Sequence, residues 1–217
     1  RLALDVEGRF LALSTDMTAN MGAYLSSFGP GSSTNSASTA MGGIYAIPNV
    51  FMEVRGAFTN TVPIDAYRGA GKPEANYIIE CLVEAAARRT GIDPVALRLL
   101  NAIDSFPYRS ALGVEIDTGD FKGNIEDAVR LADRAGFEGR RAATGAGRLR
   151  GMGVACFLET ARGANGEGAE VKFRDDGTIE LRLGTESNGQ GHETAFSQIA
   201  AATFGLPLDR FHYIQAD

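Results

Sequence analysis

The sequence predicts an α+β fold, with mixed, mainly antiparallel sheets and helices packed on one face. Three observations predict it. Short strand-like runs pair around turn residues, as residues 2–6 and 9–13 do about Glu7-Gly8. Between such runs, apolar residues recur at helical spacing, as in Ile78, Ile79, Leu82, Val83 and Ala86. The 217 residues are 44% hydrophobic and 22% charged, an ordinary globular balance with enough material for a core.

The strand pattern continues loosely through residues 17–25. Residues 26–43 are rich in Gly, Ser, Thr and Ala, which suits either a flexible linker or a tightly packed loop whose small side chains permit close approach. Residues 45–48 and 50–57 return to strand chemistry, and 58–71 read as a loop. Pro73 and Glu74 mark a helix start that Gly91 ends. Asp93-Pro94 is an N-cap with Pro at the first helical position, opening a short helix through Leu97 and Leu100.

A polar stretch at 104–119 leads to an amphipathic helix about Ile125, Ala128, Val129 and Leu131. The Gly/Ala/Arg-rich stretch that follows is the candidate boundary, giving an expected division into 1–140, a linker at 141–150, and 151–217. Residues 151–157, 169–173 and 178–183 are strand candidates. A loop at 184–191, a helix over 194–204 and a strand at 211–215 complete the chain.

Composition excludes several roles. A net charge of -6, with basic residues scattered singly or in pairs, disfavours nucleic acid. Cys81 and Cys156 are far apart in apolar contexts, which suits a reducing, cytoplasmic setting and offers no disulfide framework or zinc signature. No apolar run approaches the ~20 residues of a membrane-spanning helix. With only His192 and His212 present, a histidine-rich metal site is excluded. Gly71-Lys72 fails as a P-loop, since Ala66 stands at its first Gly and Pro73 at its Ser/Thr. The chain opens at Arg1 and stops at Asp217 in strand-like sequence, so an internal piece of a longer protein is expected.

Two glycine-punctuated loops survive as candidates, each ending at a helix start. The first is Ala66-Tyr67-Arg68-Gly69-Ala70-Gly71, and the second runs over 184–191 and contains Gly189-Gln190-Gly191. A helix start presents unpaired N–H groups and a positive dipole end to an anion. Arg68 adds a charged fork, and Gln190 a carboxamide able to donate to a ligand oxygen. The other reading is that both loops are simply helix caps with turn glycines.

The first loop and its helix resemble the corresponding segment of the large subunit of molybdenum hydroxylases, the family of xanthine dehydrogenase, aldehyde oxidase and carbon monoxide dehydrogenase. There an Ala-aromatic-Arg-Gly-x-Gly loop lies against the molybdenum cofactor. The second loop is similar to that family's Gly-Gln-Gly segment. The lead-in Phe58-Thr59-Asn60-Thr61-Val62-Pro63 and the helix over 91–101 also fit in order and spacing. The resemblance implies that Arg68, Gly69, Gly189, Gln190 and Gly191 contact a molybdenum–molybdopterin cofactor, in its simple or cytosine dinucleotide form. It places Ala70 and Glu159 at the substrate pocket, although Glu159 also reads as an ordinary strand carboxylate.

Ala70 stands where xanthine-oxidising members carry a stacking aromatic ring, and no arginine falls within 34–40, which speaks against a purine. Gly69 stands where carbon monoxide dehydrogenases carry a copper-binding Cys. Aldehydes or aromatic N-heterocycles are the expected small-molecule substrates, with iron–sulfur and FAD subunits or domains as electron-accepting partners. No catalytic residue is expected within these residues, because the family's general-base glutamate would lie beyond Asp217. The isolated piece is therefore expected to be inactive, free of cofactor and self-associating through the edge at 211–215. A non-catalytic module binding another anionic ligand or a protein is the alternative.

Overall fold

The computed structural model describes residues 1–159 and 166–215. The chain divides into two compact units, Arg1–Thr160 and Ala161–Asp217. The stretch 141–150 lies within the first of them. No helix among the described residues is long and apolar enough to cross a membrane.

In the first unit, β1 (Leu2–Leu4) pairs antiparallel with β2 (Phe10–Gly22). Asp5 closes the connection by accepting from the N–H groups of Glu7 (2.9 Å) and Arg9 (2.8 Å). The predicted hairpin is present, with a wider turn than two residues. Strand β3 (Asn49–Phe58) then pairs parallel with β2, from Ala12 opposite Asn49 to Gly22 opposite Phe58. A parallel pair cannot be joined by a tight turn and needs a long crossover. Residues 26–43 lie in that crossover, so they are the packed loop and not a linker. They form a short helical turn α1 (Gly29–Gly31) and a wide turn at Ser32–Ser36. Ala37, Ala40 and Met41 are almost fully buried.

Helix α2 (Lys72–Thr90) turns one stripe inward: Ala75, Asn76, Ile79, Glu80, Val83 and Ala87. Helix α3 (Pro94–Asn101) follows, with the Asp93 carboxylate accepting from the N–H groups of Val95 (2.9 Å) and Ala96 (3.1 Å). A two-residue ladder joins β4 (Tyr108–Arg109) and β5 (Glu115–Ile116). Asp120 caps α4 (Phe121–Leu131) by accepting from Gly123 N–H at 2.9 Å, and α5 (Phe137–Ala142) is short.

The core gathers Leu13, Met41, Tyr45, Ile47, Ile79, Val83 and Leu97. Inside it sits Arg98, 1% exposed, paired with Glu80 through Nε (3.0 Å) and Nη2 (2.8 Å). Tyr45 donates its hydroxyl to the same carboxylate. Burial, and then the negative charge of Glu80, push the Tyr45 phenol well above its ordinary value, so it stays a donor.

Residues 151–157, predicted as a strand, form none. Burial still alternates, with Val154, Cys156 and Leu158 packed on the core and Ala155 and Phe157 outward. A strand needs a neighbouring strand, and the described part of this unit brings none alongside.

In the second unit, β6 (Ala169–Phe173) and β7 (Ile179–Leu183) form an antiparallel hairpin. Helix α6 (His192–Phe204) crosses over to β8 (Phe211–Gln215), which lies parallel to β7. Its core is small: Ile179, Leu181, Ala200 and Phe211. The α+β class holds in both units. Among the described residues three of the five pairings are antiparallel, but the longest ladder, β2 with β3, is parallel.

Candidate functional site

The first loop is locked by contact. Gly69 (φ 97°) and Gly71 (φ 82°) occupy the left-handed region, which side chains resist. A Cβ on Gly71 would run into the carbonyl oxygen of Ser32, so the loop lies flat against the turn at Ser32–Ser36. Ala70 N–H donates to Tyr67 C=O (2.8 Å) and Lys72 N–H to Gly69 C=O (3.2 Å). The Arg68 side chain is exposed, and Ala70 is half-buried.

The structure brings Glu159 to this loop. Its Oε1 pairs with Lys72 Nζ at 3.0 Å, and a Cβ on Gly69 would sit 3.6 Å from its Oε2. Leu158, the preceding residue, is pinned to Asn76 through both backbone groups. Lys72 and Asn76 escaped sequence reasoning. The available signal was Asn76, which with Glu80 interrupts an apolar helical stripe.

The second loop is tied within its own unit. Ser187 N–H donates to Gln215 Oε1 (2.9 Å), and the Tyr213 hydroxyl to Thr185 C=O (3.3 Å). Gly189 (φ 104°) and Gly191 (φ 81°) are again left-handed. Here a Cβ at either would meet nothing within 4 Å, so the backbone faces open space. Gln190 is folded onto the loop. Its Nε2 donates to Glu186 C=O (3.0 Å) and its Oε1 accepts from Asn188 N–H. One N–H of the carboxamide remains for a ligand. Beside it, Nδ1 of His192 is buried and without a partner among the described residues. In the sequence, His192 served only to exclude a histidine-rich metal site.

The starts of the helices separate the two readings of the loops. Helices α3 and α4 carry aspartate caps, whereas α2 and α6 begin at Gly71 and Gly191 with no side-chain cap at all. In the first unit the exposed Arg68 guanidinium stands beside a helix start without a side-chain cap, and in the second unit α6 starts likewise uncapped beside the spare Gln190 N–H; each start by itself offers donors to an anionic ligand rich in acceptor oxygens. A molybdopterin, with its phosphate, fits that description. A separate cleft of about 480 Å³ lies between α2 and residues 153–157, lined by Tyr77, Glu80, Cys81, Arg98 and Phe157, and does not include the loop at 66–71.

Family models described as molybdopterin cofactor-binding domains match residues 1–102 and 128–217. The carbon monoxide dehydrogenase large chain of Hydrogenophaga pseudoflava is 28% identical over 235 residues, covering 100% of this chain and 29% of its own length. The xanthine dehydrogenase molybdenum-binding subunit of Escherichia coli O157:H7 is 32% identical over 216 residues, covering 96% of this chain and 28% of its own. Among solved structures, quinoline 2-oxidoreductase from Pseudomonas putida 86 superposes with a TM-score of 0.86 at 30% identity, over 99% of this chain and 29% of that one. The chain spans less than a third of the length of these relatives. With both kinds of cofactor-binding module matched along nearly its whole length, the chain belongs to the family of molybdopterin-binding large subunits of molybdenum hydroxylases.

Proposed function

We propose that these residues form a cofactor-contacting part of a molybdenum hydroxylase that hydroxylates an aldehyde or an aromatic N-heterocycle with oxygen drawn from water. The observation that carries the reading is the pair of uncapped helix starts, at the loops bearing Arg68 and Gln190, in a chain whose other long helices are capped by aspartate. On this reading Arg68 and Gly69, with Gly189, Gln190 and Gly191, hold the molybdenum–molybdopterin, the cytosine dinucleotide form included. Ala70 and Glu159 line the substrate pocket. Residues 1–140 then belong to a first cofactor-binding region and 151–217 open a second, joined by 141–150.

When bound, the cofactor supplies transfer of a water-derived oxygen to the substrate carbon and accepts two electrons, which pass to iron–sulfur and FAD partners. The chain's own residues bind and orient. Arg68 offers a fork to phosphate or oxo oxygens, Gln190 a carboxamide N–H, and the glycines let the ligand sit against the main chain. Gly69 has no thiol to hold copper and Ala70 no ring to stack on a purine, which supports the aldehyde or N-heterocycle assignment; a quinoline-oxidising relative is of that class. The setting is cytoplasmic, and strand β8, at the edge of its sheet, is where the isolated piece self-associates.

The test is made in the complete gene product. Arg68→Lys keeps the charge but loses the fork, and Gln190→Ala removes a donor worth about 1–3 kcal/mol to a desolvated oxygen. Lower molybdenum content or turnover with near-normal folding is expected. Full molybdenum and full turnover in both variants would reduce the loops to turns.

A further inference from the structure

We infer that Lys72 and Asn76, one turn apart on α2, are positioning residues that hold the Glu159 carboxylate against the Arg68-Gly69-Ala70 loop. The inference rests on the reading of that loop as facing cofactor and substrate. Asn76 is 6% exposed, and its carboxamide works as a one-residue strand partner. Oδ1 accepts from Leu158 N–H (2.9 Å), and Nδ2 donates to Leu158 C=O (3.1 Å). Nδ2 also donates to the Lys72 carbonyl (2.8 Å), which lies at the first residue of the helix. Only a carboxamide of this length offers a donor and an acceptor spaced to engage both groups of one residue. Leu158 is the pinned point of a segment that has no strand partner among the described residues, so the direction of the next residue, Glu159, is set there.

Lys72 completes the arrangement. Its side chain is 14% exposed against 43% for Glu159, so the ammonium is the sheltered member of the pair and the carboxylate the presented one. Oε1 faces Lys72 and Oε2 lies toward Gly69. A ligand bound against Gly69 and Ala70 therefore meets an acceptor oxygen whose charge Lys72 offsets. A ligand carrying an N–H or O–H donor at that point is favoured, and one carrying an anion there is opposed.

The experiment uses the complete gene product with Asn76→Ala, Lys72→Met, Lys72→Arg and Glu159→Gln, and Arg68→Lys as reference. Asn76→Ala should speed residue-resolved hydrogen exchange at the Leu158 amide by about tenfold or more. Lys72→Met should lower molybdenum per chain and alter the Mo(V) paramagnetic resonance signal without changing the melting temperature, and Lys72→Arg should restore both. Combining Lys72→Met with Glu159→Gln should be no worse than the worse single change, because the two act as one unit. If Lys72→Met leaves metal content and signal as in the parent while Arg68→Lys lowers the content, the inference is overturned and the reading of the loop stands. If Arg68→Lys also changes nothing, both are overturned. Should Asn76→Ala fail to fold, Lys72→Met decides alone.

Discussion

The two glycine loops look alike in sequence, yet the structure uses their glycines for different purposes. Gly71 is required because the Ser32 carbonyl fills the space a side chain would take, and the loop it ends rests on a core that includes a buried ion pair. Gly189 and Gly191 have nothing within reach of a Cβ, and their unit has a core of four buried residues. One loop is shaped by what it packs against. The other is shaped by its own hydrogen bonds and left open toward whatever approaches it.

The largest expected effect compares two buried glutamates. Glu80→Ala leaves Arg98, 1% exposed, with only the longer 3.6 Å pairing to the half-exposed Glu84, and should cost about 3 kcal/mol in denaturant unfolding. Glu180 is more buried still, 3% exposed against 8%, but its partners Arg174 and Arg182 are 45% and 42% exposed and can turn to water. Glu180→Ala should cost about 1 kcal/mol. Equal costs would show that the second unit is as tightly determined as the first.

Glycine replacements sharpen the comparison further. Gly71→Ala combines a disfavoured φ with a collision against backbone, and should cost about 3 kcal/mol or more. Gly191→Ala carries only the conformational term, about 1–2 kcal/mol. If Gly191→Ala matched Gly71→Ala in melting temperature, the second loop would be packed after all.

The smallest effect is one of pH. Burial opposes ionisation of Asp93, but Arg134 and the N–H groups of Ala96 and Val95 outweigh it and hold the carboxyl below its ordinary value. A depressed carboxyl contributes stability above its unfolded value, near pH 3.9, which is lost as pH falls through the folded value. The group is largely exposed, so the loss should be well under 1 kcal/mol. Acid titration of Asp93→Asn should show a correspondingly shallower fall in α3 stability between about pH 4 and 2.

What the sequence made legible was local. Helices α2 and α3 start where Pro73 and Asp93 announce them or within a few residues, because capping acts over three or four positions, whereas α4 was legible from its apolar spacing about Ile125 and not from its Asp120 cap. The parallel ladders were not legible, since β2 finds β3 across a crossover whose small residues read equally well as linker or core. Residues 151–157 have the composition of a buried strand but no neighbour to pair with among the described residues. The Tyr45–Glu80–Arg98 network spans three elements with no motif spacing, although Asn76 and Glu80 among Ile79, Val83 and Ala87 were polar residues on a buried face. At the site, the glycines and Arg68 were readable as residue types. The inward turn of Gln190 was not, because it follows from Glu186 and Asn188 lying within reach of one carboxamide.

Asn101 carries a consequence for how the chain is made. Its buried carboxamide accepts from Phe10 N–H (2.8 Å) and donates to the carbonyls of Gly8 (3.0 Å) and Leu97 (2.9 Å). The turn between the first two strands is thus finished by a residue that a ribosome adds about ninety positions later. Until α3 emerges, β1 and the start of β2 have polar groups answered only by water and an edge open to other chains. Translation paused shortly before that asparagine would hold an unfinished sheet in the cell, and chaperone binding to the nascent protein should peak there and fall once residue 101 has cleared the tunnel.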